Sequence, residues 1–242
     1  MITIKKLFFI LRGFFPVILR CDKSFNFIVN VKNIDRWWKS MSPDRNSLTD
    51  ASPWLSYEAI DFLSRHLRSD MKLFEYGSGG STLFFAKIVG EIVSVEHDKN
   101  WFLMVKGFLD QLKQSNVEYI LAVPEQDETY SKKDISNPSH YISEDKNFSG
   151  MNFENYAKQI EKYNDDYFDC VVIDGRARPS CLSHSISKLK SNGVLIFDNC
   201  ESEHYGNVIQ KLLSDNFNVT TYTGFFPYLD HFSTTLIATR IR

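Results

Sequence analysis

From Met71 onwards, the sequence alternates short apolar runs with segments whose apolar residues have helical spacing. Such runs are typical of strands buried in a parallel sheet, and the segments between them are long enough to form crossover helices. Before them, Ser52 and Pro53 predict the start of a helix that continues to Arg68. The sequence therefore predicts an open α/β sheet. The predicted strands are Met71–Tyr76, Glu91–Glu96, Val117–Val123, Asp169–Asp174, Gly193–Asp198, Phe217–Thr223 and Thr234–Arg240.

Composition narrows the class of protein further. Of 242 residues, 43% are hydrophobic, which is enough apolar material for a core and excludes disorder of the whole chain. The 28 basic and 30 acidic residues give a net charge of −2, and no Lys/Arg-rich run with interleaved aromatic residues occurs, so we expect no nucleic-acid partner. The four cysteines form no C-x-x-C pair, which favours a reducing, cytoplasmic compartment over a disulfide framework or a zinc site.

The first 50 residues are predicted as an N-terminal extension to a domain over residues 51–242. Two apolar runs within residues 5–20 are interrupted by Arg12, Gly13 and Pro16. Neither run reaches the ~20 residues that a membrane span requires. Two interpretations stay open: the segment packs against the domain, or it lies on the inner membrane surface with its basic side chains at anionic headgroups.

Residues 124–150 break the alternation of strands and helices. This stretch contains six acidic and three basic residues and follows the third predicted strand. In open α/β sheets, ligands bind beyond the carboxyl ends of the strands, and long loops there are often functional. We expect a mobile substrate lid; the alternative is a flexible insertion with no role.

A glycine-rich turn, Gly77-Ser78-Gly79-Gly80, lies between the first strand and the next helix. Glycine lets a ligand approach the backbone closely, and the helix N-terminus favours an anionic group. Glu96 ends the second strand, where a carboxylate can accept hydrogen bonds from both ribose hydroxyls. The predicted ligand is therefore a nucleoside. The candidate cofactor-binding residues are Glu75, Gly77, Ser78, Gly79, Gly80, Ser81 and Glu96.

Two nucleoside cofactors fit such a turn. The dinucleotide fingerprint requires a third glycine where Thr82 stands, and the Glu75 carboxylate would repel a pyrophosphate. The same carboxylate can bind the ammonium group of an amino-acid tail, which favours S-adenosylmethionine. Two alternatives are kept: an NAD-dependent oxidoreductase on a similar sheet, and a non-catalytic binding protein that retains the fold.

Glu75-x-Gly77-x-Gly79, followed by Val95-Glu96, resembles the first two motifs of class I S-adenosylmethionine-dependent methyltransferases. The segments FEYGSGGSTLFFA, VEHD, VVIDGRAR and GVLIFDN resemble a bacterial subgroup found among small-molecule and glycan-modifying enzymes. This resemblance covers about residues 48–240. It implies a Rossmann-like, seven-stranded, mostly parallel sheet with helices on both faces and an antiparallel last strand. Ser81 stands at the family's third glycine position, beside Gly80.

Oxygen-bearing side chains follow two predicted neighbouring strands. Asp174 ends the fourth strand, and Asp198 and Asn199 end the fifth. Carboxylate and amide oxygens suit Mg²⁺ or another divalent cation, which would lower the pKa of a substrate hydroxyl. The set also resembles the metal site of catechol-type O-methyltransferases, although Ala177 stands where that family has a lysine base. The alternative is that Asp174 orients the acceptor without a metal.

Other polar residues near this edge complete the prediction. Arg176 and Arg178 stay protonated and suit a phosphate or carboxylate on the substrate, or form structural ion pairs. Among the histidines, His204 is the candidate base, and His231 is a second residue near the rim. The sequence therefore predicts methyl transfer from S-adenosylmethionine to a hydroxyl of a small molecule or glycan. Asp174 and His204 are its catalytic residues. The candidate metal ligands are Asp174, Asp198 and Asn199.

Overall fold

The computed structural model describes residues 24–241, so the predicted membrane-surface segment at residues 5–20 lies outside the described part of the chain. The helices are α1 (Phe27–Ser40), α2 (Ser47–Asp50), α3 (Tyr57–His66), α4 (Gly80–Ala86), α5 (Lys99–Gln111), α6 (Glu154–Ala157), α7 (Arg178–Ser185) and α8 (Gly206–Leu213). No helix in this range is long and apolar enough to span a membrane.

Within residues 24–241, nine strands follow one another: β1 (Lys72–Tyr76), β2 (Glu91–Glu96), β3 (Val117–Leu121), β4 (Glu125–Gln126), β5 (Met151–Asn152), β6 (Phe168–Ile173), β7 (Leu189–Asp198), β8 (Phe217–Phe225) and β9 (Phe232–Arg240). Seven of them form one sheet in the order β3-β2-β1-β6-β7-β9-β8. The first five strands of this order run parallel, and β9 is antiparallel to both of its neighbours. The predicted seven-stranded sheet with an antiparallel last strand is confirmed.

Each face of the sheet is covered by its own apolar core. Successive strand residues point to opposite faces, so Phe74 of β1 joins one core and Leu73 joins the other. Residues of α7 and α8 complete the first core, and residues of α1, α3 and α4 complete the second. This two-sided burial explains why the central strands read as continuous apolar runs in the sequence.

The described part of the predicted N-terminal extension packs onto the second core. Trp37 of α1 is fully buried, and its ring stacks on Phe225 of β8 with a centroid distance of 4.5 Å. Its indole N–H donates a hydrogen bond of 2.6 Å to the carbonyl of Leu229. Residues 27–40 therefore stabilise the end of the sheet that carries β8.

The predicted start of the helix before β1 is wrong by four residues. Helix α3 begins at Tyr57 and is capped by Ser56, whose hydroxyl accepts a hydrogen bond from the backbone N–H of Ala59 at 3.3 Å. The backbone N–H of Ser56 in turn donates to the Thr235 hydroxyl at 3.1 Å. This contact with β9 fixes the cap at Ser56, and a contact so distant in sequence leaves no local signal.

The insertion at residues 124–150 lies along the carboxyl edge of the sheet. Its ends are joined by pairing of β4 with β5, and three short 3₁₀ turns lie between them. Asp145 forms an ion pair of 2.8 Å with Arg176, and the ring of Phe148 packs against that of His97. Its placement fits a lid over this edge, while the predicted mobility stays a prediction.

Candidate active site

A cavity of about 810 Å³ opens along the carboxyl edge of the parallel strands. The glycine-rich turn and Glu96 line one side, and Asp174, Asp198 and Asn199 line the other. The chain continues from β1 to β2 in one direction and later from β6 to β7 in the other, so the cavity lies at the topological switch point. This is where ligands bind in open α/β sheets.

Two glycines of the turn are required by their surroundings. Gly77 has a φ of +89°, and a Cβ there would lie 2.7 Å from the carbonyl oxygen of Asp174. A Cβ on Gly80 would lie 2.0 Å from the carbonyl oxygen of Ser47 in α2. Gly79 differs, because a Cβ there would meet only Trp101, at 3.6 Å. The turn is therefore packed from behind at Gly77 and Gly80, whereas Gly79 forms part of the cavity wall.

Glu75 differs in position from the other candidate cofactor-binding residues. Its side chain is fully buried beneath the turn and is not part of the cavity wall. It accepts hydrogen bonds from the hydroxyls of Thr82 at 2.5 Å and Ser94 at 2.6 Å. The Thr82 hydroxyl also accepts a bond of 3.0 Å from the backbone N–H of Gly79. Glu75 therefore holds the turn in shape through one oxygen, while its other oxygen has no hydrogen-bond partner among the described residues. The predicted contact with an ammonium group stays a prediction.

Glu96 lies in the cavity wall with both oxygens engaged. One oxygen accepts hydrogen bonds from the backbone N–H groups of His97 at 2.8 Å and Asp98 at 2.9 Å. The other accepts from the backbone N–H of Ser78 at 3.1 Å and from its hydroxyl at 2.8 Å. Two side chains approach this carboxylate: the Nδ1 of His97 lies 2.8 Å from the first oxygen, and the Ser78 hydroxyl, which contacts the second, lies 2.6 Å from the Tyr119 hydroxyl. Ser78 is the more exposed of these two residues and lines the cavity wall. Its hydroxyl is the donor that a ribose hydroxyl can replace.

The charge of Glu96 follows from the same contacts. Burial by itself would raise the pKa of this carboxyl group. The imidazole of His97, the N–H of Asp98 and the donors of Ser78 outweigh burial, and the pKa is lowered. Glu96 therefore stays ionised and favours a ligand that brings hydrogen-bond donors, as a ribose does.

Trp101 also lines the cavity, although the sequence analysis did not select it. It lies in the first turn of α5, which Asp98 caps through a 2.8 Å bond to the Trp101 backbone N–H. Its indole N–H donates to the carbonyl of Ser78 at 2.7 Å. The signal in the sequence that could have identified Trp101 is an aromatic residue in the first helical turn after Glu96. The flat ring of Trp101 suits contact with a nucleobase.

On the other side of the cavity, the polar side chains meet around Arg178. The Arg178 side chain is only 7% exposed, and the start of α7 carries it beneath the ends of β6 and β7. It donates to Asp174 at 3.1 Å and to the side-chain oxygen of Asn199 at 2.7 Å. It also donates to the backbone carbonyls of Asp198 at 2.5 Å and Gly175 at 3.1 Å. The sequence analysis noted Arg178 but did not place it between these groups.

The predicted metal ligands come together here, but their surroundings do not fit a divalent cation. Asp174 and Asn199 each turn an oxygen toward Arg178, and Asp198 accepts from the Thr235 hydroxyl at 2.8 Å. A divalent ion bound to those oxygens would lie on the order of 4 Å from the guanidinium, where repulsion costs about 8 kcal/mol at an effective dielectric of 20. We therefore derive no step through a metal. Within residues 24–241, no three His, Cys, Asp or Glu side chains are arranged to hold one.

Burial and mutual repulsion control the two carboxyl groups. Burial raises the pKa of Asp174, and the charges of Arg178 and Arg176 oppose that rise. Burial also raises the pKa of Asp198 well above its ordinary range, and the charge of Asp174 adds to the effect. Asp174 remains 21% exposed to the cavity, whereas Asp198 is enclosed. Asp174 is therefore the better placed of the two to accept a proton from a ligand.

The two histidines near this edge have different positions. His204, the predicted base, is not part of the cavity wall and lies 3.9 Å from Glu203 on the surface. The turn after Asn199 directs it away from the site, so the prediction of a catalytic His204 is corrected. His231 does line the cavity, beside Asp230 at 3.0 Å. It reaches the rim from the β8–β9 connection.

The order of the strands and the cavity at their switch point define a Rossmann-like fold of the class I methyltransferase type. Solved structures with this fold include a Streptococcus mutans protein assigned as a methyltransferase, in complex with SAH. Its TM-score is 0.51 at 15% identity, over 74% of this chain and 94% of that one. An rRNA methylase from Streptococcus thermophilus has a TM-score of 0.50 at 13% identity, over 77% and 96%.

A precorrin-6y C5,15-methyltransferase from Geobacter metallireducens has a TM-score of 0.50 at 14% identity, covering 77% of this chain and 89% of that one. Neither a protein-family profile nor a curated protein sequence matches the chain. Because the identities are this low, the likeness establishes the fold, and the reaction has to be argued from the site.

Proposed function

We propose that this chain is an S-adenosylmethionine-dependent methyltransferase whose acceptor is a hydroxyl group of a small molecule or sugar. The observation that carries the proposal is the single cavity that joins a nucleoside half to an acceptor half. The nucleoside half has the glycine-rich turn, with Gly79 in the cavity wall, and an ionised carboxylate at Glu96. The acceptor half has Asp174 within reach of the cavity. S-adenosylmethionine supplies an electrophilic methyl group when it is bound.

The residues of the chain supply orientation and a proton acceptor. Gly79 and Ser81 provide backbone and hydroxyl groups for the methionine end, and Glu96 accepts hydrogen bonds from the ribose. Asp174 takes the proton of the acceptor hydroxyl while that oxygen forms its bond to carbon. Holding two reactants in line is the main source of rate in such a transfer.

Three features of the cavity support a small acceptor. The insertion borders one side of the cavity through the ion pair of Asp145 with Arg176 and so limits its width. Trp54 lines the cavity with 47% of its surface exposed, so a flat apolar surface is free to contact a sugar or aromatic ring. His231 and Asn147 add polar groups at the rim.

We place the protein in the cytoplasm, where S-adenosylmethionine is made.

Calorimetric titration of S-adenosylhomocysteine tests the nucleoside half. Glu96→Ala should weaken binding by about 10- to 100-fold, because it removes charge-assisted hydrogen bonds to the ribose. Glu91→Ala is the matched control, since Glu91 begins the same strand at the end far from the cavity. Absence of binding by the wild type, with a shift in nicotinamide fluorescence on adding NADH, would favour the oxidoreductase alternative. Absence of both responses would favour the non-catalytic alternative.

Release of S-adenosylhomocysteine tests the acceptor half on a panel of sugars and small alcohols. Asp174→Asn should lower turnover by about 10²- to 10⁴-fold while cofactor affinity stays unchanged. Asp165→Asn is the control, because Asp165 is an exposed aspartate that pairs with Lys188 outside the cavity wall. Equal turnover by Asp174→Asn and wild type would remove the proposed role of Asp174.

A further inference from the structure

We propose that Arg178 is the resident cation of the acceptor site and stands where a divalent metal would otherwise bind, so that acceptor hydroxyls are methylated without a metal. The inference rests on the proposed function for its chemical step. Its first part, the identity of the cation, rests on the contacts of Arg178 alone.

The contacts of Arg178 occupy side-chain oxygens of two of the three predicted metal ligands. A guanidinium group carries five N–H donors. Nε donates to the carbonyl of Gly175, and Nη1 donates to the carbonyl of Asp198 and to the side-chain oxygen of Asn199. Nη2 donates to Asp174 at 3.1 Å. The guanidinium thus engages the side chains of two of the three predicted metal ligands, Asp174 and Asn199, and reaches Asp198 through its backbone carbonyl.

Among the described residues, one N–H donor of Arg178 is left without an acceptor. Four of the five N–H groups are used, and the second N–H of Nη2 has no acceptor among residues 24–241. Arg178 and the partly exposed Asp174 both line the cavity. An acceptor hydroxyl can therefore accept a hydrogen bond from Nη2 and donate its own proton to Asp174, as one paired contact.

The chemical step balances with these two residues. The acceptor oxygen forms a bond to the methyl carbon, and the carbon–sulfur bond breaks with its electron pair going to sulfur. The sulfonium becomes a neutral thioether, and the hydroxyl proton passes to Asp174. The fixed positive charge of Arg178 stabilises the negative charge that develops on the acceptor oxygen. In other enzymes a Lewis-acidic metal stabilises this charge.

The neighbouring arginine provides a matched contrast. Arg176 lines the same cavity, but its guanidinium forms an ion pair with Asp145 of the insertion at 2.8 Å. It makes no hydrogen bond to Asp198 or Asn199 within the described residues. Removal of Arg176 should therefore leave the oxygens around Arg178 as they are.

Binding of Mn²⁺, followed by electron paramagnetic resonance of the free ion, tests the identity of the cation without any acceptor. Wild type, Arg176→Ala and Arg178→Lys should show no stoichiometric site. Arg178→Ala should bind one Mn²⁺ at least about tenfold more tightly than wild type, because it exposes a negative cluster with no cation of its own. The double variant Arg178→Ala/Asp198→Asn should lose that site. Titration with S-adenosylhomocysteine reports on folding in every variant.

The results separate this inference from the proposed function. Stoichiometric Mn²⁺ binding by wild type that Asp198→Asn abolishes would overturn the role of Arg178. So would equal Mn²⁺ affinity in Arg178→Ala and Arg178→Lys when both bind S-adenosylhomocysteine. If the wild type does not bind S-adenosylhomocysteine, the proposed function is wrong. With an acceptor from the panel, EDTA should leave the turnover of the wild type unchanged, and Arg178→Ala should lower kcat. Loss of turnover on adding EDTA would overturn the metal-free step.

Discussion

The carboxyl group of Glu75 should make the stability of the protein depend on pH in a direction opposite to that of most acidic residues. Burial raises the pKa of Glu75 from 4.5 to about 7, against the hydroxyls of Ser81, Ser94 and Thr82. A raised pKa in the folded state means that the folded chain binds more protons than the unfolded chain between these two values. Stability from this residue is therefore complete below pH 4.5 and is lost as pH rises through about 7. The full loss is about 3 kcal/mol by linkage, as an upper value.

Denaturant unfolding of wild type and Glu75→Gln at pH 5 and pH 8 measures this effect. Glutamine keeps an amide oxygen for Thr82 and Ser94 but does not titrate, so its cost is the same at both pH values. Other groups with raised pKa values, such as Glu58, cancel in the comparison. The variant should gain on wild type by up to about 3 kcal/mol between pH 5 and pH 8. A difference between the two proteins that does not change with pH would refute the reasoning.

Three further comparisons test the fold and the site. Gly80→Ala should cost about 1–3 kcal/mol of stability and weaken S-adenosylhomocysteine binding, because its Cβ would lie 2.0 Å from the Ser47 carbonyl. Gly107→Ala, in open space within α5, should instead add about 1 kcal/mol, and thermal unfolding distinguishes the two. Trp37→Ala should cost about 3–5 kcal/mol in denaturant unfolding, since the ring is fully buried. His204→Ala should leave turnover within about twofold of wild type, because His204 lies outside the cavity wall.

Much of the sheet could be predicted from the sequence, because its central strands are buried on both faces. A strand such as β2 is buried from its second residue to its end, and its predicted and observed bounds coincide at Glu91–Glu96. The less regular parts depend on contacts distant in sequence. Helix α3 begins where β9 holds Ser56, and β7 begins at Leu189 rather than Gly193 because Leu189 pairs with Phe168.

The sequence predicted the nucleoside half of the site more fully than the acceptor half. The nucleoside half depends on backbone shape, and glycine residues report backbone shape directly: Gly77 has to accept a φ of +89°. The burial of Glu75 under the turn could not be predicted because it depends on Thr82 and Ser94, which no turn motif includes. The acceptor half depends on the positions of long side chains, which the sequence does not specify. Arg178 can reach the ends of two strands because α7 begins with it.

This difference gives the two halves of the cavity separate constraints. The nucleoside half tolerates few changes, because Gly77 and Gly80 are each pressed against backbone atoms that cannot move aside. The acceptor half is held by side-chain contacts to Arg178, and the insertion reaches it through the ion pair of Asp145 with Arg176. Such contacts can be exchanged without disturbing the sheet. In the proposed methyltransferase, the choice of acceptor is therefore encoded in the residues around Arg178 and in the insertion, whereas the choice of cofactor is encoded in the turn and Glu96.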